Sequence, residues 1–161
     1  MAMHPLLDLL SRDQENLRSY RNGSISLEDM NKANTQISER FLAYVDASGF
    51  PFKDEADEKV YKAAVVLGLH LFNSNNDQVR FFQKYIEKAP DEQVEPWAKA
   101  YFIDKIRINA GQKQLYGTQF KATKDGSIES LPIEDEENVN KRRAELGMKT
   151  IEEYKKFAAG N

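Results

Sequence analysis

Gly111-Gln112-Lys113-Gln114-Leu115-Tyr116-Gly117-Thr118-Gln119 is the stretch at which the periodicity of this chain changes. Upstream, apolar residues recur at helical spacing. From Gln114 the pattern alternates. Gln114, Tyr116 and Thr118 would share one face of a strand, and Leu115 and Gln119 the other. The spacing predicts short strands over Gln114–Thr123 and Ser127–Leu131. Asp125-Gly126 between them is a hairpin signal, because a two-residue turn of that type needs positive φ at both central residues.

Everything before this stretch reads as helix. Leu6, Leu7, Leu9, Leu10 and Leu17 form a stripe that ends near Tyr20. Ser26 is placed to cap a second helix, with Asp29 as its acidic partner. Gly49-Phe50-Pro51-Phe52 stops that helix. The acidic run Asp54–Glu58 suits the first turn of a third helix, which extends to about Phe72. Its centre, Ala63-Ala64-Val65-Val66-Leu67-Gly68-Leu69, is apolar nearly all round, as expected of a central helix. Asn73-Ser74-Asn75-Asn76 reads as a loop, and Gln78–Lys88 as a fourth helix. Pro96 suits the first turn of a fifth helix and Gly111 its end. A last helical region covers Glu134–Leu146, Gly147 ends it, and Thr150 caps Ile151–Ala158. The expected fold is mainly α. It is a single-domain bundle over residues 1–161, with about five to seven helices and one short β-hairpin near residues 114–131.

Composition narrows the function. The 161 residues include no cysteine, which removes disulfide scaffolds, thiolate-bound metals and thiol chemistry. The charged fraction is 30% with a formal net charge of −3, both signs being interspersed. That pattern argues against a generic nucleic-acid footprint. The opening MAMHPLLDLLSRD lacks the basic and long apolar regions of a secretory signal. No window approaches the roughly 18 apolar residues of a membrane span. These features lead to the expectation of a cytoplasmic protein without membrane contact. No glycine-rich phosphate loop or nucleophile elbow is present, so dinucleotide, P-loop and Ser-His-Asp chemistries are not expected.

Three places are able to carry chemistry. His70 is one of two histidines. Two do not make a metal site, since a catalytic zinc usually needs three protein ligands, so no metal or other cofactor is expected. At 100° per residue His70 lies within roughly 80° of Lys59, Lys62, Val66 and Asn73, on the more polar side of its helix. It is either an ordinary surface histidine or one lining a cleft. Asp104 shares a helix face with Trp97, Ala100, Tyr101 and Ile108. It must reach the rim of that face or be buried with a partner, because an unpaired buried carboxylate costs several kcal/mol. Arg107, at i+3, is a local candidate for that partner, while the adjacent Lys105 points elsewhere. The third place is Gly111–Gln119 itself. Its Gln, Tyr and Thr side chains offer neutral donors and acceptors suited to an amide, a sugar or a peptide backbone. Alternatively they bond neighbouring loops. Gly117 marks a bulge or a close approach.

These residues also carry a resemblance. Asp104-Lys105-Ile106, Gly111 and Gln114-Leu115-Tyr116-Gly117-Thr118-Gln119 resemble a mainly bacterial family of unknown function. Its signature is an Asp-Arg pair, a later glycine, and Gln-x-Tyr-Gly-Thr-Gln. Leu131-Pro132-Ile133-Glu134-Asp135, Arg142–Met148, Ile151 and Tyr154 are similar to its carboxyl end. The helix ending in His70 is similar to a segment with a Gln-His pair. The resemblance spans roughly Gly49–Tyr154. Lys105 stands where that family has arginine, and lysine lacks the planar fork. Leu69 stands where it has glutamine. The resemblance implies that His70, Asp104, Gln114, Tyr116, Thr118 and Gln119 form one connected site.

Three functions follow as alternatives. The first is a binding module taking a polar small molecule or peptide, with Lys105, Gln114, Tyr116, Thr118 and Gln119 as ligand contacts beside His70. The second is a hydrolase or transferase with His70 as general acid or base, assisted by Asp104 or Tyr116. The third is an interaction domain without a pocket.

Overall fold

A computed structural model describes residues 3–71, 75–124 and 127–158, with the backbone alone at 75, 122 and 158. Among these residues the fold is mainly α: seven α-helices and one two-stranded antiparallel hairpin. The chain folds as two compact units, Met1–Val94 and Glu95–Asn161. No described helix is long and apolar enough to cross a membrane.

In the first unit α1 (Pro5–Arg21), α2 (Leu27–Ser48) and α3 (Glu58–Leu69) pack pairwise. Their ends follow local chemistry. Ser26 Oγ accepts the Asp29 N–H at 3.0 Å and donates to Asp29 Oδ2 at 2.7 Å, which caps α2. α2 stops at Gly49, whose φ is 81°. Asp57 caps α3, so of the acidic run only Glu58 lies inside the helix. α3 ends at Leu69 with His70 as its C-cap, short of Phe72, which lies outside the described residues. Tyr61, Ala63, Ala64, Val65 and Leu67 are all buried, as the apolar run requires.

α4 (Asn75–Phe81) begins earlier than the expected Gln78, within the expected 73–76 loop, whose residues 73 and 74 are outside the described part. It then widens into a π-turn over Phe82–Ile86, closed by Glu87 N–H donating to Phe82 O at 2.9 Å. Phe50, Phe41, Phe81 and Tyr85 form an aromatic cluster with ring centroids 5.4–6.1 Å apart. Three of these pairs are tilted or edge-on and Phe50–Tyr85 is stacked, arrangements that the ring quadrupoles favour over a face-to-face sandwich.

In the second unit α5 (Pro96–Asn109) starts on proline and is terminated at Gly111, where φ is 73°. The strands are β1 (Phe120–Ala122) and β2 (Ile128–Ser130), with Lys121 opposite Glu129. The expected Asp125-Gly126 turn lies outside the described residues. The strand expected over Gln114–Thr123 is reduced to its last third. Residues 115–119 are a loop, and Gln114 makes one isolated parallel bridge to Ile133. The helical region expected from Glu134 starts later. Asp135 has a φ of 48°, a 3-10 turn covers Glu136–Asn138, and α6 runs Val139–Glu145. Gly147, at φ 65°, follows it. Thr150 and Glu153 then form a reciprocal capping box on α7 (Ile151–Ala158), with Thr150 N–H donating to Glu153 Oε2 at 2.9 Å.

Candidate functional site

The loop after α5 is organised around one carboxylate. Asp104 is fully buried. Its Oδ1 accepts the N–H groups of Leu115 at 2.7 Å and Tyr116 at 3.1 Å. Its Oδ2 accepts the N–H of Thr118 at 3.0 Å and the Thr118 hydroxyl at 2.9 Å. The amides of Leu115, Tyr116 and Thr118 and one hydroxyl therefore solvate the charge in place of water, which is what a buried carboxylate requires. The expected partner Arg107 does not serve it. Arg107 Nε donates to Lys113 O at 2.7 Å and its Nη2 pairs with Glu134. An i+3 spacing places Arg107 near the carboxylate, but the loop amides reach it without desolvating a second charge.

Gln114 closes the loop. Its side chain, also fully buried, donates from Nε2 to Gln119 O at 3.0 Å and Leu131 O at 2.7 Å. Its Oε1 accepts the Gln119 N–H at 2.9 Å. The amide thus acts as a cross-strand rung between residues 114, 119 and 131. The Gln119 side chain donates in turn to Thr118 Oγ1 at 3.0 Å.

The loop carbonyls face two arginines. Arg142 Nε donates to Leu115 O at 2.9 Å, and Arg143 Nη1 to Tyr116 O at 2.6 Å. Arg142 also reaches Glu134 O and Asp135 O. Arg143 Nε holds Lys149 O at 2.6 Å. The backbone of 115–118 is therefore bound by a carboxylate on its N–H side and by guanidinium groups on its C=O side.

Gly117 completes the arrangement. Its φ is 66°, and a Cβ there would lie 2.4 Å from Ile151 Cδ1 and 3.1 Å from Ile133 Cδ1. The close approach expected at this glycine is made by apolar side chains of the same unit. Ile133, Val139 and Ile151 form a small buried cluster under the loop.

Beside this scaffold lies an open cleft of about 290 Å³, lined by Trp97, Tyr101, Arg143, Met148, Lys149, Tyr154 and Phe157. Trp97 and Phe157 are exposed, at 37% and 73%. Tyr101 stands edge-on to Trp97 at 5.8 Å and to Tyr154 at 6.2 Å, and its hydroxyl is bonded to that of Tyr154. The Arg143 guanidinium lies 5.1 Å over the Tyr154 ring. Burial, reinforced by the Tyr154 hydrogen bond, pushes the Tyr101 phenol well above its ordinary value. Burial likewise lowers Arg143 from its ordinary value, against the pull of the nearby tyrosines and Asp104.

Of the residues singled out in sequence, Asp104, Gln114, Thr118 and Gln119 are brought together, with Tyr116 contributing its backbone. The Tyr116 phenol is raised by burial and by the Asp104 charge, and Lys105 is lowered by burial. His70 belongs to the first unit. Its Nδ1 lies 2.9 Å from Oδ2 of Asp13, a buried carboxylate on α1. Asp13 was not singled out in sequence. Its signal was an acidic residue four positions after the apolar Leu9 on the inward stripe of α1. The cleft was also missed, although Trp97 and Tyr101 at i, i+4 on one helix were visible.

Residues 83–160 match a family of unknown function (DUF6624). The match takes in α5, the Asp104-centred loop and the cleft. It leaves out Leu69 and His70. No curated protein and no solved structure matches the chain.

Proposed function

We propose that this chain is a binding module whose ligand occupies the aromatic cleft of the second unit. The observation that supports this most is the pairing of an exposed aromatic wall, Trp97 and Phe157, with the nearly fully buried Arg143 in one cleft. Large apolar side chains left exposed around a concavity mark a binding surface. The volume is at the small end of the ~300–1,000 Å³ typical of small-ligand sites. On this reading Asp104, Gln114, Thr118 and Gln119 act as scaffold. Their polar atoms are engaged by the loop, which positions Arg143 through Tyr116 O.

Ligand-observed NMR with a library of small aromatic compounds tests the proposal. Hits are expected for the full chain and for His70→Ala, and are expected to disappear with Phe157→Ser and Trp97→Ala. Hits that survive both cleft variants contradict it.

The His70–Asp13 contact favours a second reading, an enzyme with His70 as general base. A buried carboxylate on Nδ1 holds the tautomer in which Nε2 accepts a proton. The nitrogen shifts of His70 test it: an Nδ1–H tautomer is expected, and an Nε2–H tautomer rules the role out.

A further inference from the structure

Resting on the reading of the cleft as a ligand site, we propose that its ligand is a small aromatic carboxylate. Each polar side chain lining the cleft is able to donate, and none of them is anionic. Arg143 uses Nε on Lys149 O and Nη1 on Tyr116 O, and its Nη2 makes no hydrogen bond among the described residues. Tyr101 and Tyr154 share one hydrogen bond between their two hydroxyls. Whichever hydroxyl donates, the hydrogen of the other is left over. Lys149 also lines the cleft, where its carbonyl holds Arg143 Nε.

No carboxylate lines this cleft among the described residues. The acidic groups near Arg143 are taken elsewhere: Asp104 by the loop amides, and Glu152 by the Asn140 amide at 3.0 Å. A planar guanidinium edge and one hydroxyl offer two donors to two oxygens, the pattern a carboxylate satisfies. The perpendicular rings of Trp97 and Tyr101 leave faces and edges for an aromatic body. Asp104 and Glu152 act on Arg143 from outside the cleft lining, so a neutral ligand would cover the guanidinium with no opposite charge on the cleft side as the cleft is desolvated.

The chain has one tryptophan, so the indole N–H of Trp97 gives one resonance that reports on the cleft. The test titrates the full chain with 2-naphthoate and, separately, with 2-naphthamide at the same ionic strength. The pair differs in charge at nearly constant shape, and no variant has to fold. The expected result is a saturable shift of the Trp97 indole resonance with both compounds, 2-naphthoate binding about tenfold tighter or more. Equal affinities overturn the carboxylate proposal while the cleft reading stands. No saturable shift with either compound overturns both. A Trp97 shift that follows protein concentration alone overturns the proposal in favour of a second copy of the chain as the occupant.

Discussion

Asp104 Oδ2 receives both the backbone N–H of Thr118, at 3.0 Å, and the Thr118 hydroxyl, at 2.9 Å. One residue of the loop thus meets the same buried oxygen twice, while Leu115 and Tyr116 meet its neighbour. A helix carboxylate becomes the centre about which the following loop is wound.

Asp104→Asn places an NH₂ group where one of these oxygens stood. At least one donor then faces a donor, with no water available to either. The expected destabilisation is about 2–4 kcal/mol, read from urea unfolding. A loss below about 1 kcal/mol would show that the loop amides do not depend on the carboxylate.

Gly117→Ala meets two obstacles, a positive φ and the Ile151 Cδ1 atom at 2.4 Å. Together they are expected to cost about 2–4 kcal/mol. Ile151→Val removes the clashing methyl. The double variant should therefore be less destabilised than the sum of the two single variants, by about 1 kcal/mol. Strict additivity would locate the whole cost in the backbone.

This loop also marks the limit of what the sequence makes legible. The helix ends were readable because their determinants are local: Ser26 with Asp29, Pro96, Gly111 and Thr150 with Glu153 all act within a few residues. The alternation of Gln114, Tyr116 and Thr118 suggested a strand. Burial does not follow that alternation, because Asp104 draws the amides of 115, 116 and 118 to one point and Gly117 turns the chain between them. The controlling residue lies ten positions upstream of the pattern it controls. The candidate site was legible in part for the same reason. Asp104 stood out as a carboxylate on an aromatic face that had to reach the rim or be buried with a partner, and it is buried, with loop amides in place of Arg107. Arg143 gave no local sign of entering a cleft, since its role depends on Tyr116 O, 27 positions upstream, as well as on Lys149 O.

Tyr101 links the cleft to pH. Burial raises its folded-state pKa above the ordinary 10.0, and the Tyr154 hydrogen bond adds to this. For a raised group the stability contribution is fully present below the unfolded value. It is lost as pH rises past about 10, where the unfolded chain releases the proton and the folded chain does not. Melting temperatures measured from about pH 8 to about pH 11 should fall more steeply for the native chain than for Tyr101→Phe. Parallel curves would mean that Tyr101 ionises in the folded cleft as freely as in the unfolded chain.

Backbone and indole resonance shifts over the whole chain, followed as 2-naphthoate is added, test most directly whether the ligand site is the second-unit cleft. Saturable shifts are predicted at Trp97, Met148, Tyr154 and Phe157, with Asp13 and His70 unmoved. Shifts centred on His70 and Asp13, or none that saturate, would contradict it.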